Sequence, residues 1–171
     1  MATIMGQVRT AVRSYALLDL APAEVLRHVS ALLLGFTEPT FVTCFFAVHT
    51  AAGELVYANA GHLPALLRAP DGTISQLGEA MAQPLGVGRE FSERTAAFPP
   101  GADLLLYTDG LVESRSRDLT QGIEWLVEAV AALPRPLTGA ACDRLVETLT
   151  GGVHDDDVAL ISVHHAGRRT A

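Results

Sequence analysis

Two short segments constrain this chain more than any others. Leu104-Leu105-Leu106-Tyr107-Thr108-Asp109-Gly110 runs from an apolar, strand-like stretch into an acid. Asp155-Asp156-Asp157-Val158-Ala159-Leu160-Ile161-Ser162-Val163 runs the other way, out of an acidic triplet into a second such stretch. If the two strands pair antiparallel, Asp109 and the 155–157 cluster meet at one end of one sheet. Converging carboxylates at a sheet end suit a hard divalent cation.

The 171 residues suffice for one domain with a sizeable core, and 49% hydrophobic residues argue against disorder. A formal net charge of −7 argues against a nucleic-acid or anionic-membrane partner, because both need a basic patch. No apolar run reaches the ~18 residues that span a bilayer, and none reads as a signal peptide. A cytoplasmic location is therefore expected. The two cysteines, Cys44 and Cys142, are too few for a disulfide framework and read as buried, reduced thiols.

Ile4, Val8, Ala11, Val12 and Tyr15 recur at helical spacing, with Arg9 and Arg13 on another face. Pro22 fits the first turn of a second helix, with Val25, Leu26, Val29, Leu32 and Leu33 as its stripe and Gly35 at its end. From Thr40 the period changes. Phe41 to Val48 reads as a strand buried on both faces, and with Glu54 to Ala58 it forms a hairpin across Ala52-Gly53. Leu63–Arg68 and Thr73–Leu77 flank Pro70-Asp71-Gly72 as another hairpin. Residues 84–88 read as a loop, Phe91 to Phe98 as a strand, and Pro99-Pro100-Gly101 as the turn into the strand before Asp109. Residues 121–132 and 138–149 are helical, a strand occupies 155–164, and His164 to Ala171 reads as a polar tail. The expected fold is α+β, an antiparallel β-sandwich flanked by helices, in a single domain: a helical pair (1–35), antiparallel strands (40–110), a second helical pair (120–150) and a last strand.

Asp109 and the triplet are the candidate site. Asp109 sits at a strand end, a rigid platform, and Gly110 allows close approach of backbone or ligand. Alone, Asp109 reads equally as a turn residue and the triplet as a solvated acidic turn. Three adjacent carboxylates repel one another, and a cation offsets that repulsion. Side chains alternate along an extended backbone, so one or two of the three face a common ion. The pair resembles half of a two-metal centre for Mg²⁺ or Mn²⁺; two carboxylates cannot neutralise two divalent ions, so ligands are missing. His49, His62, His154, His164 and His165 show no zinc spacing and read as turn, surface or tail residues. Ser114 and Ser116 lack a His–acid pair to activate them, and no phosphate-binding glycine motif is present.

Five segments together carry a resemblance: Phe41-Val42-Thr43-Cys44-Phe45-Phe46, Tyr57-Ala58-Asn59-Ala60-Gly61-His62-Leu63-Pro64, Pro84-Leu85-Gly86, Pro100 through Glu113, and Asp155 through Leu160. In this order, from about Met1 to about Val163, the chain resembles the bacterial SpoIIE/RsbU-like branch of the PPM metal-dependent serine/threonine phosphatases. The resemblance implies two antiparallel sheets flanked by helices, and two Mn²⁺ or Mg²⁺ ions that activate a water for in-line attack on phosphoserine or phosphothreonine. It implies a small phosphorylated anti-sigma-factor antagonist of the STAS type as substrate. It maps metal ligation onto Asp109 and Asp156, with Gly110 and Asp157 as secondary candidates. Ala159 stands where the family's threonine is common.

Family members carry a Gly-Asp strand and a second acidic turn ahead of the helix matching residues 2–17. The expectation is thus an N-terminally truncated domain, inactive or weakly active by itself, dimerising through an exposed sheet edge. A non-catalytic binding module derived from a phosphatase, and a small-molecule phosphoesterase using the same aspartates, are the alternative readings.

Overall fold

The helical and strand-like periods of the sequence appear in the anticipated order. A computed structural model describes residues 2–78, 81–114, 117–151 and 156–167. In chain order the elements are α1 (Ala2–Ala16), α2 (Pro22–Leu34), β1 (Cys44–His49), β2 (Glu54–Ala60), β3 (Ala65–Arg68), β4 (Ile74–Leu77), β5 (Met81–Ala82), β6 (Arg94–Ala97), β7 (Asp103–Tyr107), a 3-10 turn (Asp109–Leu111), α3 (Leu119–Ala132), α4 (Gly139–Thr150) and β8 (Leu160–His164). The α+β class with antiparallel sheets and covering helices is as expected. The elements fall into two compact units, Met1–His62 with Gly78–Ala97, and Leu63–Leu77 with Phe98–Ala171.

In the first unit α1 lies on α2. Ile4, Val8, Val12 and Tyr15 meet Val25, Val29 and Leu33 in a core that also takes Ala58, Ala60 and Leu85. Pro22 opens α2 as expected. Gly35 closes it without a left-handed turn: its φ is −84°, its N–H donates to Leu32 O, and the Phe36 N–H donates to Leu33 O. Strand β2 is central. It pairs antiparallel with β1 along one edge, and on the other with β6 antiparallel and with the two residues of β5 in parallel. The Phe41–Val48 run is not buried on both faces. As an edge strand β1 is half-buried and exposes Val48 and His49, and residues before Cys44 contribute only an isolated bridge from Val42 to Leu85. The thiols of Cys44 and Cys142 are free and both residues are half-buried. Burial of the Cys44 thiol pushes it up to about 11.

The second unit is an antiparallel sheet in the order β4-β3-β7-β8. Helices α3 and α4 cover one face, burying Leu105, Tyr107, Leu126, Val130, Leu145 and Leu149 together. Asp118 caps α3 by accepting the Gln121 N–H, and Thr138 caps α4 by accepting that of Ala141. Gly151, at φ 60°, ends α4 in the left-handed region, where glycine carries no Cβ penalty. The last strand begins at Leu160, later than residue 155, and runs through His164. His164 and His165 are therefore not tail residues. His164 Nδ1 lies 2.9 Å from Asp103 Oδ1, and His165 Nδ1 lies 2.7 Å from Phe98 O.

The interior of this unit holds an ion pair. Arg68 is 2% and Asp103 1% exposed. Arg68 Nη2 lies 2.8 Å from Asp103 Oδ2 while its Nη1 donates to Val130 O and Leu133 O, so the sheet's cation satisfies carbonyls at the end of α3. Burial raises the Asp103 carboxyl, but hydrogen bonds from Arg68, the Leu137 N–H and His164 outweigh it and hold the group below its ordinary value.

Candidate functional site

The antiparallel pairing that brings the two acidic segments together is present. Tyr107 of β7 stands opposite Leu160 of β8, and Leu106 opposite Ile161. Both strands point their acidic ends the same way: β7 runs into Asp109, and Asp156 and Asp157 lead into β8.

Thr108 fastens the two ends. Its N–H donates to Ala159 O at 3.0 Å, its Oγ1 accepts the Ala159 N–H at 2.8 Å, and the same hydroxyl donates to Asp157 O at 2.9 Å. One short side chain thus extends the ladder past the last regular pair. The two bonds at position 159 use backbone groups, so alanine there serves as well as threonine.

Past Thr108 the chain tightens into the 3-10 turn. Asp109 is exposed and its Oδ1 accepts the Gly110 N–H at 3.0 Å. The Asp109 carbonyl accepts the N–H groups of Val112 and Glu113. Gly110 is buried against the opposing loop. A Cβ there would lie 2.7 Å from Asp157 O and 3.1 Å from Asp156 O. Glycine is required by contact, since any side chain would push the two acidic loops apart. Asp156 mirrors Asp109: it is exposed, and its Oδ1 accepts the Asp157 N–H at 2.7 Å. Asp156 and Asp157 also line a recess of about 430 Å³ with Cys142, Asp143, Val146, Val158 and Leu160.

Asp155, Ser116 and His154 lie outside the described residues. Among the described residues, no three His, Cys, Asp or Glu side chains converge closely enough to hold a metal ion. The residues present nevertheless fit part of a divalent-cation site. They offer exposed carboxylate oxygens from two loops, the donor type that hard cations take, and the two loops pack in direct contact because position 110 has no side chain.

Three residues that shape this end were not anticipated in these roles. Thr108 stood in the acidic segment without a function of its own. Gly122 lies in α3, where a Cβ would lie 1.8 Å from Val112 O, so the helix rests on the backbone that follows the Asp109 turn. Arg117 sits in an irregular stretch, and no local pattern marks a side chain whose acceptors are remote carbonyls.

A profile of the family described as Stage II sporulation protein E (SpoIIE) matches residues 1–166. Among solved structures, the chain is similar to the RsbU and RsbW domains of Rv1364c from Mycobacterium tuberculosis, with 29% identity and a TM-score of 0.80 over 94% of this chain and 46% of that one. It shares its fold with the PP2C phosphatase domain and regulatory-domain fragment of SpoIIE from Bacillus subtilis, at 11% identity and TM-score 0.79 over 94% of this chain and 49% of that one. The manganese-presoaked phosphatase domain of the same Bacillus subtilis protein aligns at 15% identity and TM-score 0.64, over 85% of this chain and 66% of that one. The chain thus spans about half the length of two of these structures and about two thirds of the third.

Proposed function

We propose, from the premise that this chain belongs to the SpoIIE family, that its acidic end serves the hydrolysis of phosphoserine or phosphothreonine on a protein. Family and fold are those of PPM-type phosphatase domains of the SpoIIE/RsbU kind. The observation that carries the reading is the juxtaposition described above. Asp109 and Asp156 are exposed carboxylates on two loops joined by Thr108 and kept close by Gly110.

In this reading Asp109 and Asp156 hold divalent cations, Mn²⁺ or Mg²⁺, with Gly110 and Asp157 shaping the space beside them. Bound there, the cations supply Lewis acidity toward a phosphoryl oxygen and the attacking water. The chain's own part is to fix two oxygen ligands on adjoining strand ends, so that little reorganisation accompanies binding. Asp109 and Asp156 each orient one carboxylate oxygen through the next residue's N–H, leaving the acid presented outward.

The substrate is proposed to be a phosphorylated anti-sigma-factor antagonist of the STAS type. A homodimer through an exposed sheet edge belongs to the same proposal. Supporting it, β8 lies at the edge of its sheet and carries Ile161 and Val163, 59% and 44% exposed. Among the described residues, no helix is long and apolar enough to cross a membrane.

The test is phosphate release from a phosphoserine-bearing STAS-domain protein with and without Mn²⁺, using this chain. Manganese-dependent turnover that Asp109→Asn abolishes is the expected result. Turnover indifferent to D109N and D156N would refute the site. Binding of the phosphoprotein without turnover would instead favour a non-catalytic module.

A further inference from the structure

Between the Asp109 turn and the end of α4 stands one guanidinium. Arg117 Nε donates to Val112 O at 2.8 Å and Nη2 to Leu111 O at 3.4 Å, both carbonyls at the close of the Asp109–Leu111 turn. Its Nη1 donates to Leu149 O at 3.0 Å, in the last turn of α4, the helix that precedes Asp156 in the chain. The Arg117 backbone is itself secured by paired N–H···O bonds with Ser114, each 3.2 Å. Its guanidinium carbon lies 5.1 Å from the centre of the Trp125 ring.

These contacts meet a local need. The end of a helical turn leaves carbonyls without partners and carries partial negative charge, as does the end of a longer helix. Here a 3-10 turn and an α-helix present such ends to the same side chain. A planar guanidinium reaches both groups at once with directional donors, which a lysine ammonium on a flexible stem cannot reproduce. Gly122 packs against the Val112 carbonyl, further fixing the segment that Arg117 grips.

We propose that Arg117 is a positioning residue. It holds the turn bearing Asp109 at a set place relative to the α4 end that leads to Asp156, and so tunes the cation affinity of the acidic end. This rests on the reading of Asp109 and Asp156 as cation ligands. Trp125, which is 56% exposed, covers the guanidinium on one face and limits its access to water.

The experiment is a Mn²⁺ titration of the intact chain followed by paramagnetic broadening of the Gly110 and Asp157 amide signals, paired with a urea melt of every variant. The variants are R117A, R117K, D109N and Val130→Ala, the last a core truncation that lowers stability without touching these contacts. R117A and R117K are expected to need about tenfold more Mn²⁺ for half-broadening, the scale of losing an outer support of a metal ligand. V130A should stay within twofold of wild type. Should R117A fail to fold, R117Q carries the same comparison. R117 variants within twofold of wild type, with broadening still abolished by D109N, overturn the positioning role and leave the site intact. Broadening in wild type that D109N does not alter overturns the site reading and this inference with it.

Discussion

Arg68 and Asp103 face each other across neighbouring strands at 2.8 Å, buried on all sides, and between them they also satisfy the end of α3 and the Leu137 N–H. Removing one partner leaves an uncompensated charge in the interior. Asp103→Ala is expected to cost about 3–5 kcal/mol, while the Arg68→Met, Asp103→Leu double variant costs less than the sum of its singles. Denaturant melts of the four proteins check this.

The same pair sets a pH dependence. The folded Asp103 carboxyl titrates below its unfolded value, so its stabilisation is complete above the ordinary carboxylate pKa of about 4 and drains away as pH falls through the lowered value. Urea midpoints measured from pH 7 downward are expected to fall more steeply for wild type than for Asp103→Asn in that acid range.

The Tyr107 hydroxyl is buried and, among the described residues, has no hydrogen-bond partner. An unpaired buried hydroxyl carries a desolvation penalty with nothing to offset it. Tyr107→Phe is therefore expected to leave stability unchanged or raise it by about 1 kcal/mol. A loss of more than about 1 kcal/mol in a urea melt would reveal a partner for that oxygen.

Two helical glycines predict opposite outcomes. Gly6 in α1 has open space where a Cβ would stand, so Gly6→Ala should stabilise by roughly 0.5–1 kcal/mol through helix propensity alone. At Gly122 the Cβ would meet Val112 backbone at 1.8 Å, and Gly122→Ala should destabilise by about 1–3 kcal/mol despite the same gain in propensity. Thermal melts of the two variants should move in opposite directions.

Thr108→Val keeps the shape of the side chain and deletes the hydroxyl that joins Asp157 O and the Ala159 N–H. A loss of about 1–2 kcal/mol is expected, along with weaker Mn²⁺ broadening at Asp157, whereas Thr108→Ser retains both. Equal behaviour of the two variants would show that the β7–β8 ladder suffices without the hydroxyl.

Much of this arrangement was legible in the chain. Helical spacing at Ile4, Val8 and Val12, the proline at position 22 and the apolar runs before Asp109 and after Asp157 report local periodicity, which follows directly from which face is buried. Even the meeting of the two acidic ends followed from the opposite order of acid and apolar run. What escaped depends on contacts between distant residues. The half-exposure of Phe41–Val48 is set by its place at a sheet edge, which an apolar run does not encode. His164 reads as a tail residue until β8 places it beside Asp103. Arg117 and Gly122 act on the carbonyls of Leu111, Val112 and Leu149, and a carbonyl carries no residue identity to detect.

Because β8 pairs with β7 on one side only, its attachment has a single seam, fastened at the acidic end by residues 49 positions apart in sequence. Asp156 rides on the segment that leads into that strand. If the acidic end takes an ion as proposed, its occupancy and the adhesion of the final strand are reciprocal: an ion gripping both acids tightens the seam by mass action, and whatever peels the strand away carries one of the two acids with it. An edge strand of the sheet is then also the one that can disarm it.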